Sequence, residues 1–207
     1  MNLNKSRFER KKEETKNRII RVAMALFKKQ GVVETTMEQI AKEVDIAKGT
    51  LYSYFPVKEA IISDYMKQAF KEKNKDRILQ FRKLKDTRTR LLVLFTELIE
   101  GIGANREIFE KYIIYRMRNM VSFHQEQSQK SGLNLLVLEI IELGQKENEI
   151  RTDIPIHVLE DLLEFAFVEV AKQFIIESKQ GNNVSDIHVT INQCIDIFIH
   201  GAGKRKE

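Results

Sequence analysis

The segment from residue 35 to residue 58 constrains the fold of this chain more than any other stretch. It contains two short helical patterns that are separated by a tight turn. In the first pattern, Met37, Ile40, Ala41 and Val44 recur at helical spacing and form one apolar face. The two threonines at its start are each followed three positions later by Glu or Gln, which is the spacing of a capping box.

The second pattern follows a break at Asp45 and runs from about residue 47 to residue 55. Leu51 and Phe55 are four residues apart, so both can face the core of a small domain. The remaining positions carry small, hydroxylic and basic side chains, which the major groove of DNA can accept. The segment therefore predicts a helix-turn-helix that binds DNA.

The string KGTLYxYFxxKE stands a short distance after TTxxxIA, and an amphipathic helix precedes both. Over roughly residues 12 to 66 the chain resembles the DNA-binding domain of the TetR family of bacterial transcriptional regulators. The resemblance implies double-stranded DNA as a partner. It implies phosphate contacts from Thr36, Thr50, Tyr54 and Lys58, and it places Lys48, Gly49 and Tyr52 nearest the bases. Either tyrosine could instead pack on the core of the domain.

Two residues depart from the family pattern. Asp45 stands where the family usually has a turn glycine, so the turn must tolerate an aspartate or adopt a different conformation. Ala47 replaces the usual hydroxylic residue that would cap the second helix, and alanine is a poor N-cap. Both departures are expected to loosen the recognition helix until DNA orders it.

The positive charge of the chain is concentrated at its N-terminal end. The formal net charge is +5, but residues 1–30 alone hold 10 Lys and Arg against 3 Asp and Glu. A basic surface beside a helix-turn-helix favours contact with DNA phosphates. The alternative for residues 5–16 is a solvated, partly disordered arm.

Several classes of protein are disfavoured by the sequence. The first thirty residues contain no signal-peptide core, and no apolar run approaches the length of a membrane span, so we expect a cytoplasmic protein without a membrane partner. A single cysteine, Cys194, cannot form an internal disulfide. No catalytic, nucleotide-binding or metal-ligand motif is present, so we predict neither an enzyme nor a cofactor.

Two prolines and nine glycines in 207 residues leave few helix breakers. The sequence predicts an all-α protein of about nine helices, the first from about residue 12 to residue 30. Residues 1–56 are expected to form the arm and a three-helix DNA-binding domain. Residues 57–207 are expected to form a larger helical domain for ligand binding and dimerisation.

The last two predicted helices, near residues 156–180 and 185–200, are apolar on nearly every face. A helix of this kind must be buried all round, either in a central core or against a second subunit. TetR-like proteins dimerise through their last two helices, which implies a homodimer that reads a pseudo-palindromic operator. The predicted interface residues are Phe167, Val170, Phe174, Ile195 and Phe198.

The middle helices carry aromatic, thioether and polar side chains that suit an apolar ligand pocket with a few orienting groups. The candidates are Phe95, Phe109, Tyr112, Arg116, Met120, Phe123 and Phe167. Each could instead belong to the core. Arg116 could meet a ligand carboxylate or phosphate, or pair with a surface acid.

Two hypotheses for function follow. The first is a dimeric regulator, expected to be a repressor, that a small and largely apolar ligand releases from its operator. The second is a ligand-independent architectural or division-linked DNA-binding protein that acts through a protein partner. A closed apolar cavity would favour the first, and a fully packed core would favour the second.

Overall fold

A computed structural model describes residues 6–120, 132–179 and 185–202 of the chain. These residues form nine α-helices and contain no β-strand, which confirms the predicted all-α fold. The helices are α1 (Arg7–Gln30), α2 (Met37–Val44), α3 (Lys48–Tyr54), α4 (Lys58–Phe81), α5 (Thr87–Ala104), α6 (Arg106–Met120), α7 (Gly132–Lys146), α8 (Ile156–Lys179) and α9 (Ser185–Ala202). Among the described helices, none is long and apolar enough to span a bilayer.

The chain divides into two compact units. Unit 1 contains α1, α2, α3, the first part of α4 as far as Met66, and most of α6, from Glu107 onward. Unit 2 contains the rest of α4, together with α5, α7, α8 and α9. The boundary that the sequence suggests, after residue 56, precedes α4, whereas the division between the units falls within α4.

Helix α1 begins at Arg7, several residues earlier than the sequence pattern suggested. A capping box starts it: Ser6 Oγ accepts a hydrogen bond from the Glu9 N–H at 3.2 Å, and the Glu9 carboxylate accepts one from the Ser6 N–H at 2.7 Å. The basic residues from 7 to 16 therefore lie on the first turns of a helix. The alternative of a partly disordered arm is wrong for these residues.

The core of unit 1 combines the apolar faces of its first three helices with buried residues of α4 and α6, such as Ile61 and Ile113. Leu51 is fully buried and Phe55, which follows α3, is nearly so. The buried residues of α1 are Ile19, Ile20, Ala23, Met24 and Phe27, and those of α2 are Met37, Ile40, Ala41 and Val44. The predicted helical spacing therefore selects the buried face of α2 correctly.

In unit 2, α5 packs against α7, α8 and α9. Arg90 of α5 is fully buried, and its guanidinium donates to the Phe81 carbonyl at 3.1 Å and to the Leu84 carbonyl at 2.7 Å. It also donates to the Glu147 carboxylate at 2.6 Å. A buried arginine needs such partners because an unpaired charge in the interior is costly. These bonds fix the end of α4 and the end of α7 to the central helix.

Helices α8 and α9 turn one apolar face toward α5 and leave another exposed. The five predicted interface residues are all buried within unit 2: Phe167, Val170, Phe174, Ile195 and Phe198. They belong to the core of this unit because α5 packs on that face of both helices. The exposed apolar side chains of the two helices are Val158, Leu162, Phe165 and Ile176 of α8 and Val189 and Ile197 of α9.

Candidate nucleic-acid interface

The turn between α2 and α3 is built on Asp45, which takes a left-handed conformation with φ 57° and ψ 55°. Its N–H donates to the Lys42 carbonyl at 3.1 Å, and the Ile46 N–H donates to the Ala41 carbonyl at 3.0 Å. Aspartate is one of the few residues other than glycine that visits this region. The turn therefore keeps a glycine-like conformation and tolerates the aspartate.

Helix α3 begins without a side-chain cap. Ala47 occupies the N-cap position with extended backbone, φ −61° and ψ 143°, and no side chain accepts a hydrogen bond there. Helix α2, by contrast, starts with a capping box in which Thr36 Oγ1 accepts from the Gln39 N–H at 3.1 Å. The structure confirms that α3 lacks a side-chain cap, and the looser start of this helix stays a prediction.

Leu51 fixes the orientation of α3, because its side chain is fully buried. Lys48, Gly49 and Thr50 of the same helix are exposed. Tyr52 is 41% exposed, so it does not pack on the domain core, whereas Tyr54 is half-buried. The exposed side chains form a surface, which we call the α3 outer face, composed of residues 48, 49, 50, 52 and 53.

Gly49 lies on the α3 outer face with open space above its Cα. A Cβ atom built there would meet no atom within 4 Å beyond its chain neighbours and the backbone of its own helix. Neither packing nor backbone conformation within unit 1 therefore requires glycine at this position. Because Gly49 has no side chain, a second molecule can approach the α3 backbone closely.

Lys48, also on the α3 outer face, pairs with Glu38 of α2. Its ammonium also lies 5.9 Å from the centre of the Tyr52 ring, within the range of a cation–π contact. The hydrogen bond from Lys48 lowers the pKa of Glu38, and the same bond raises the pKa of Lys48. Both groups therefore stay ionised at neutral pH.

Lys58, at the start of α4, is engaged within the protein. Its ammonium donates to the carbonyls of Val32 at 2.6 Å, Val33 at 3.2 Å and Thr35 at 2.7 Å. An ammonium has three donors, and these three carbonyls can use all of them. Lys58 therefore holds the loop before α2, and a phosphate would have to replace one of these carbonyls.

The same loop is held by Glu107 of α6. One oxygen of its carboxylate accepts from the Val32 N–H at 2.8 Å and from the Val33 N–H at 3.1 Å. Gly31, with φ 87°, lets the carboxylate come close, since a Cβ there would lie 3.2 Å from Glu107 Oε2. Residues 31–35, which lead directly into Thr36, are thus held by Lys58 and Glu107.

Sequence reasoning missed the roles of Glu38 and Glu107. Glu38 appeared only as one of two candidates for capping α2, and the structure shows that Gln39 fills that role. Glu107 lies 75 residues from Val32, and nothing in the local sequence marks that partnership. A pattern of short spacing could have found neither contact.

The candidate ligand residues fall into two groups. Phe109 and Tyr112 of α6 meet edge to face with ring centres 6.5 Å apart in unit 1, where Arg116 is half-buried. Phe95 and Phe167 of unit 2 are buried and meet edge to face at 5.6 Å. The side chain of Met120 and the whole of Phe123 lie outside the described residues. In the described part of the chain, no three His, Cys, Asp or Glu side chains cluster as metal ligands would.

A model of the family described as bacterial regulatory proteins, tetR family, matches residues 19–65. YuxN, an uncharacterised helix-turn-helix-type transcriptional regulator of Bacillus subtilis, is 36% identical over 93 residues. That match covers 42% of this chain and 32% of YuxN, so the chain spans about a third of the length of this curated relative.

Solved structures share the fold over nearly the whole chain. FadR of Thermus thermophilus, a TetR-family transcriptional repressor solved with lauroyl-CoA, has a TM-score of 0.75 at 23% identity and covers 93% of this chain and 97% of its own. FadR from Bacillus subtilis, solved with stearoyl-CoA, has a TM-score of 0.59 at 16% identity and covers 89% and 98%. At these identities the likeness shows the fold alone. Residues 19–65 are therefore similar in sequence and in helix-turn-helix geometry to the DNA-binding domain of the tetR family of bacterial regulatory proteins, and the chain shares its overall fold with solved members of that family.

Proposed function

We propose that this chain is a dimeric repressor that binds a pseudo-palindromic operator and is released from it by a small, largely apolar ligand. The α3 outer face carries the DNA-binding part of the proposal. It is the exposed side of a short helix whose other side is anchored by Leu51, and it combines a lysine, hydroxyl groups and an open glycine. These are groups that can donate to guanine and allow close contact with a groove.

The exposed apolar residues of α8 and α9 support the dimer. Val158, Leu162 and Phe165 follow one another at spacings of four and three, which is the stripe of a helix–helix contact. Val189 and Ile197 are exposed apolar residues of α9, which packs against α8. A second copy of the chain could cover this surface through a two-fold axis, and the two reading helices would then reach successive major grooves roughly 34–36 Å apart.

Acyl-CoA thioesters are the first ligand class to test. Two proteins that share this fold were solved with lauroyl-CoA and stearoyl-CoA. In the present chain, half-buried Phe109 and buried Tyr112 form an aromatic pair on α6, and Arg116 of the same helix carries a guanidinium. An acyl chain requires apolar neighbours such as the aromatic pair, and the phosphates of CoA suit the guanidinium of Arg116.

Glu107 offers a route from ligand to DNA within unit 1. It lies on the same helix as the α6 candidates and holds the loop that leads into Thr36 and α2. A ligand that binds one position of α6 better than another would shift the position of this loop. Such coupling requires only a difference in ligand affinity between the two states.

The test begins with selection of preferred sequences from a random pool of duplex DNA. Binding of the full chain to the selected duplex is then followed by fluorescence anisotropy during titration with lauroyl-CoA. Free CoA and laurate serve as matched controls. We expect release by lauroyl-CoA and not by either fragment alone. If no sequence is enriched, the DNA-reading proposal fails; if DNA binds but no acyl-CoA releases it, the ligand part fails and the architectural alternative gains support.

A substitution at Glu107 tests the route. Glu107→Ala removes the acceptor for the Val32 and Val33 N–H groups while leaving the α6 candidates in place. We expect lauroyl-CoA to bind this variant with the affinity that it has for the wild type. It should weaken operator binding less than in the wild type, because about 1–3 kcal/mol of the coupling free energy between ligand and operator would be lost. Glu110→Ala on the same helix is the control. Full release of the Glu107 variant by lauroyl-CoA would place the coupling elsewhere.

A further inference from the structure

We propose that Glu38 is a specificity-determining residue. It pairs with Lys48 in the free protein and so weakens the contact of Lys48 with DNA phosphates. This inference rests on the proposed DNA-reading function of the α3 outer face. It concerns a residue of α2 that the family resemblance did not single out. Its role would be to weaken binding to random DNA more than binding to the operator.

The geometry brings the two residues together through the turn at Asp45. Glu38 lies in the first turn of α2 and Lys48 is the first residue of α3, so the left-handed turn determines whether they meet. The pair is exposed on the same surface as Gly49 and Tyr52, where DNA would approach. The ammonium of Lys48 therefore has an anion and an aromatic ring as neighbours before DNA arrives.

Charge near the reading helix supports the same conclusion. Residues 31–60 hold 3 Lys and Arg against 5 Asp and Glu, although the helix before them is strongly basic. A carboxylate on a DNA-facing surface repels phosphates, and it does so most when its lysine partner leaves it. A lysine that turned to a phosphate would leave Glu38 without its cation in the field of the backbone.

The effect of Glu38 differs between the operator and random DNA because different DNA groups replace the ion pair with Lys48. An exposed ion pair is weak, so a good acceptor can displace it. Guanine presents two acceptors, O6 and N7, to one lysine in the major groove. The carboxylate is freed in both cases, but a phosphate on random DNA offers Lys48 a single contact that is screened by salt, so it offsets the lost ion pair and the repulsion less well than guanine does. Glu38 therefore penalises binding to random DNA more than binding to a guanine at the operator.

Glu38→Gln tests the proposal in the full chain, because it removes the charge and keeps the size of the side chain. The probes are the selected operator duplex and a duplex of the same composition in scrambled order. Affinity for scrambled DNA should rise about three- to tenfold, with a smaller rise for the operator, so that the ratio between them falls. The log–log salt slope on scrambled DNA should steepen by up to about 0.9, the value for one added phosphate contact.

Glu43→Gln is the matched control. Glu43 is an exposed carboxylate on the same helix, and its removal changes the net charge by the same amount. If only the net charge of the protein mattered, the two variants would change the DNA affinities equally. That result would overturn the proposal. In a Lys48→Ala background no lysine remains for Glu38 to pair with, so Glu38→Gln should change the affinities for both duplexes alike and leave the ratio between them unchanged.

Two other outcomes can be told apart. A loss of operator affinity in Glu38→Gln, with binding to scrambled DNA unchanged, would make Glu38 a direct base contact and overturn the proposed role. A wild-type chain that prefers no duplex would instead refute the DNA-reading function itself. Thermal melting of each variant should match that of the wild type, since both glutamates are exposed.

Discussion

At the scale of single residues, exposure separates the side chains that DNA can reach from those that shape the domain. Leu51 and Phe55 are buried and anchor α3, while Gly49 and Lys48 on the same helix face outward. The family resemblance assigns Lys58 to phosphate contact, but its ammonium donates hydrogen bonds to carbonyls of the loop before α2. Its contact with DNA remains a prediction, and its hold on that loop is visible in the structure.

Gly49→Ala should separate stability from DNA binding. Alanine is up to about 1 kcal/mol more favourable than glycine in a helix interior, and less at this helix start, so the melting temperature should stay the same or rise. The added methyl group meets nothing in the protein but would stand between the α3 backbone and a base. We expect operator affinity to fall by about 1–3 kcal/mol, the value of one base contact.

Gly201→Ala in α9 is the control for that experiment, because a Cβ at Gly201 also meets nothing within 4 Å. It should leave operator affinity unchanged. Equal affinity of both variants for the operator, measured by anisotropy, would mean that DNA does not approach Gly49 closely.

The sequence could predict the α3 outer face at this scale because its signal is local. Leu51 and Phe55 repeat at helical spacing, and the residues between them are polar. Glu107 could not be predicted, because its partners Val32 and Val33 come together only when α6 packs into unit 1. Contacts between distant parts of a chain leave no periodic trace in the sequence.

At the scale of elements, capping decides where the helices of unit 1 begin. Ser6 and Glu9 start α1 well before its apolar stripe, and a search for the S-x-x-E spacing would have found this start. Thr36 and Gln39 start α2 in the same way. Helix α3 lacks such a device, and we expect its first turn to open more readily than those of its neighbours.

Ala47→Ser should supply the missing cap. The backbone of residue 47 is already extended, so a serine hydroxyl could accept a first-turn N–H without rearrangement. The expected gain is about 0.5–2 kcal/mol for α3, or roughly two- to thirtyfold slower amide exchange in that helix. Ala47→Val, which offers no oxygen, is the control. If both variants exchange at the wild-type rate, the first turn of α3 is not limited by its cap.

At the scale of the whole molecule, the sequence predicts the all-α class and singles out the last two helices, but it does not show which faces they bury. Helices α8 and α9 are apolar on several sides, so their rotation about their own axes is not encoded in the pattern. Packing against α5 determines this rotation, because it buries Phe174 and Phe198 and leaves Phe165 and Ile197 exposed. The dimer prediction therefore moves to the exposed face of the same helices.

Phe165→Glu tests that face. Phe165 is 58% exposed, so a glutamate there should leave the isolated subunit folded, but in a dimer it would bury an unpaired carboxylate in apolar contact at a cost of several kcal/mol. We expect monomers in sedimentation at micromolar concentration and a loss of operator affinity much larger than the loss for a single half-site, because the two reading heads would no longer be linked.

Two substitutions bracket this result. Leu79→Glu in α4 changes an equally exposed apolar residue (58%) outside α8 and α9, and it should remain dimeric. Phe174→Glu places the charge in the core of unit 2, so it should lower the melting temperature whether or not a dimer forms. If Phe165→Glu stays dimeric and binds the full operator normally, then the stripe on α8 is not the contact between subunits. A dimer would then have to use another surface, and the spacing of the two reading helices would have to be derived again from that surface.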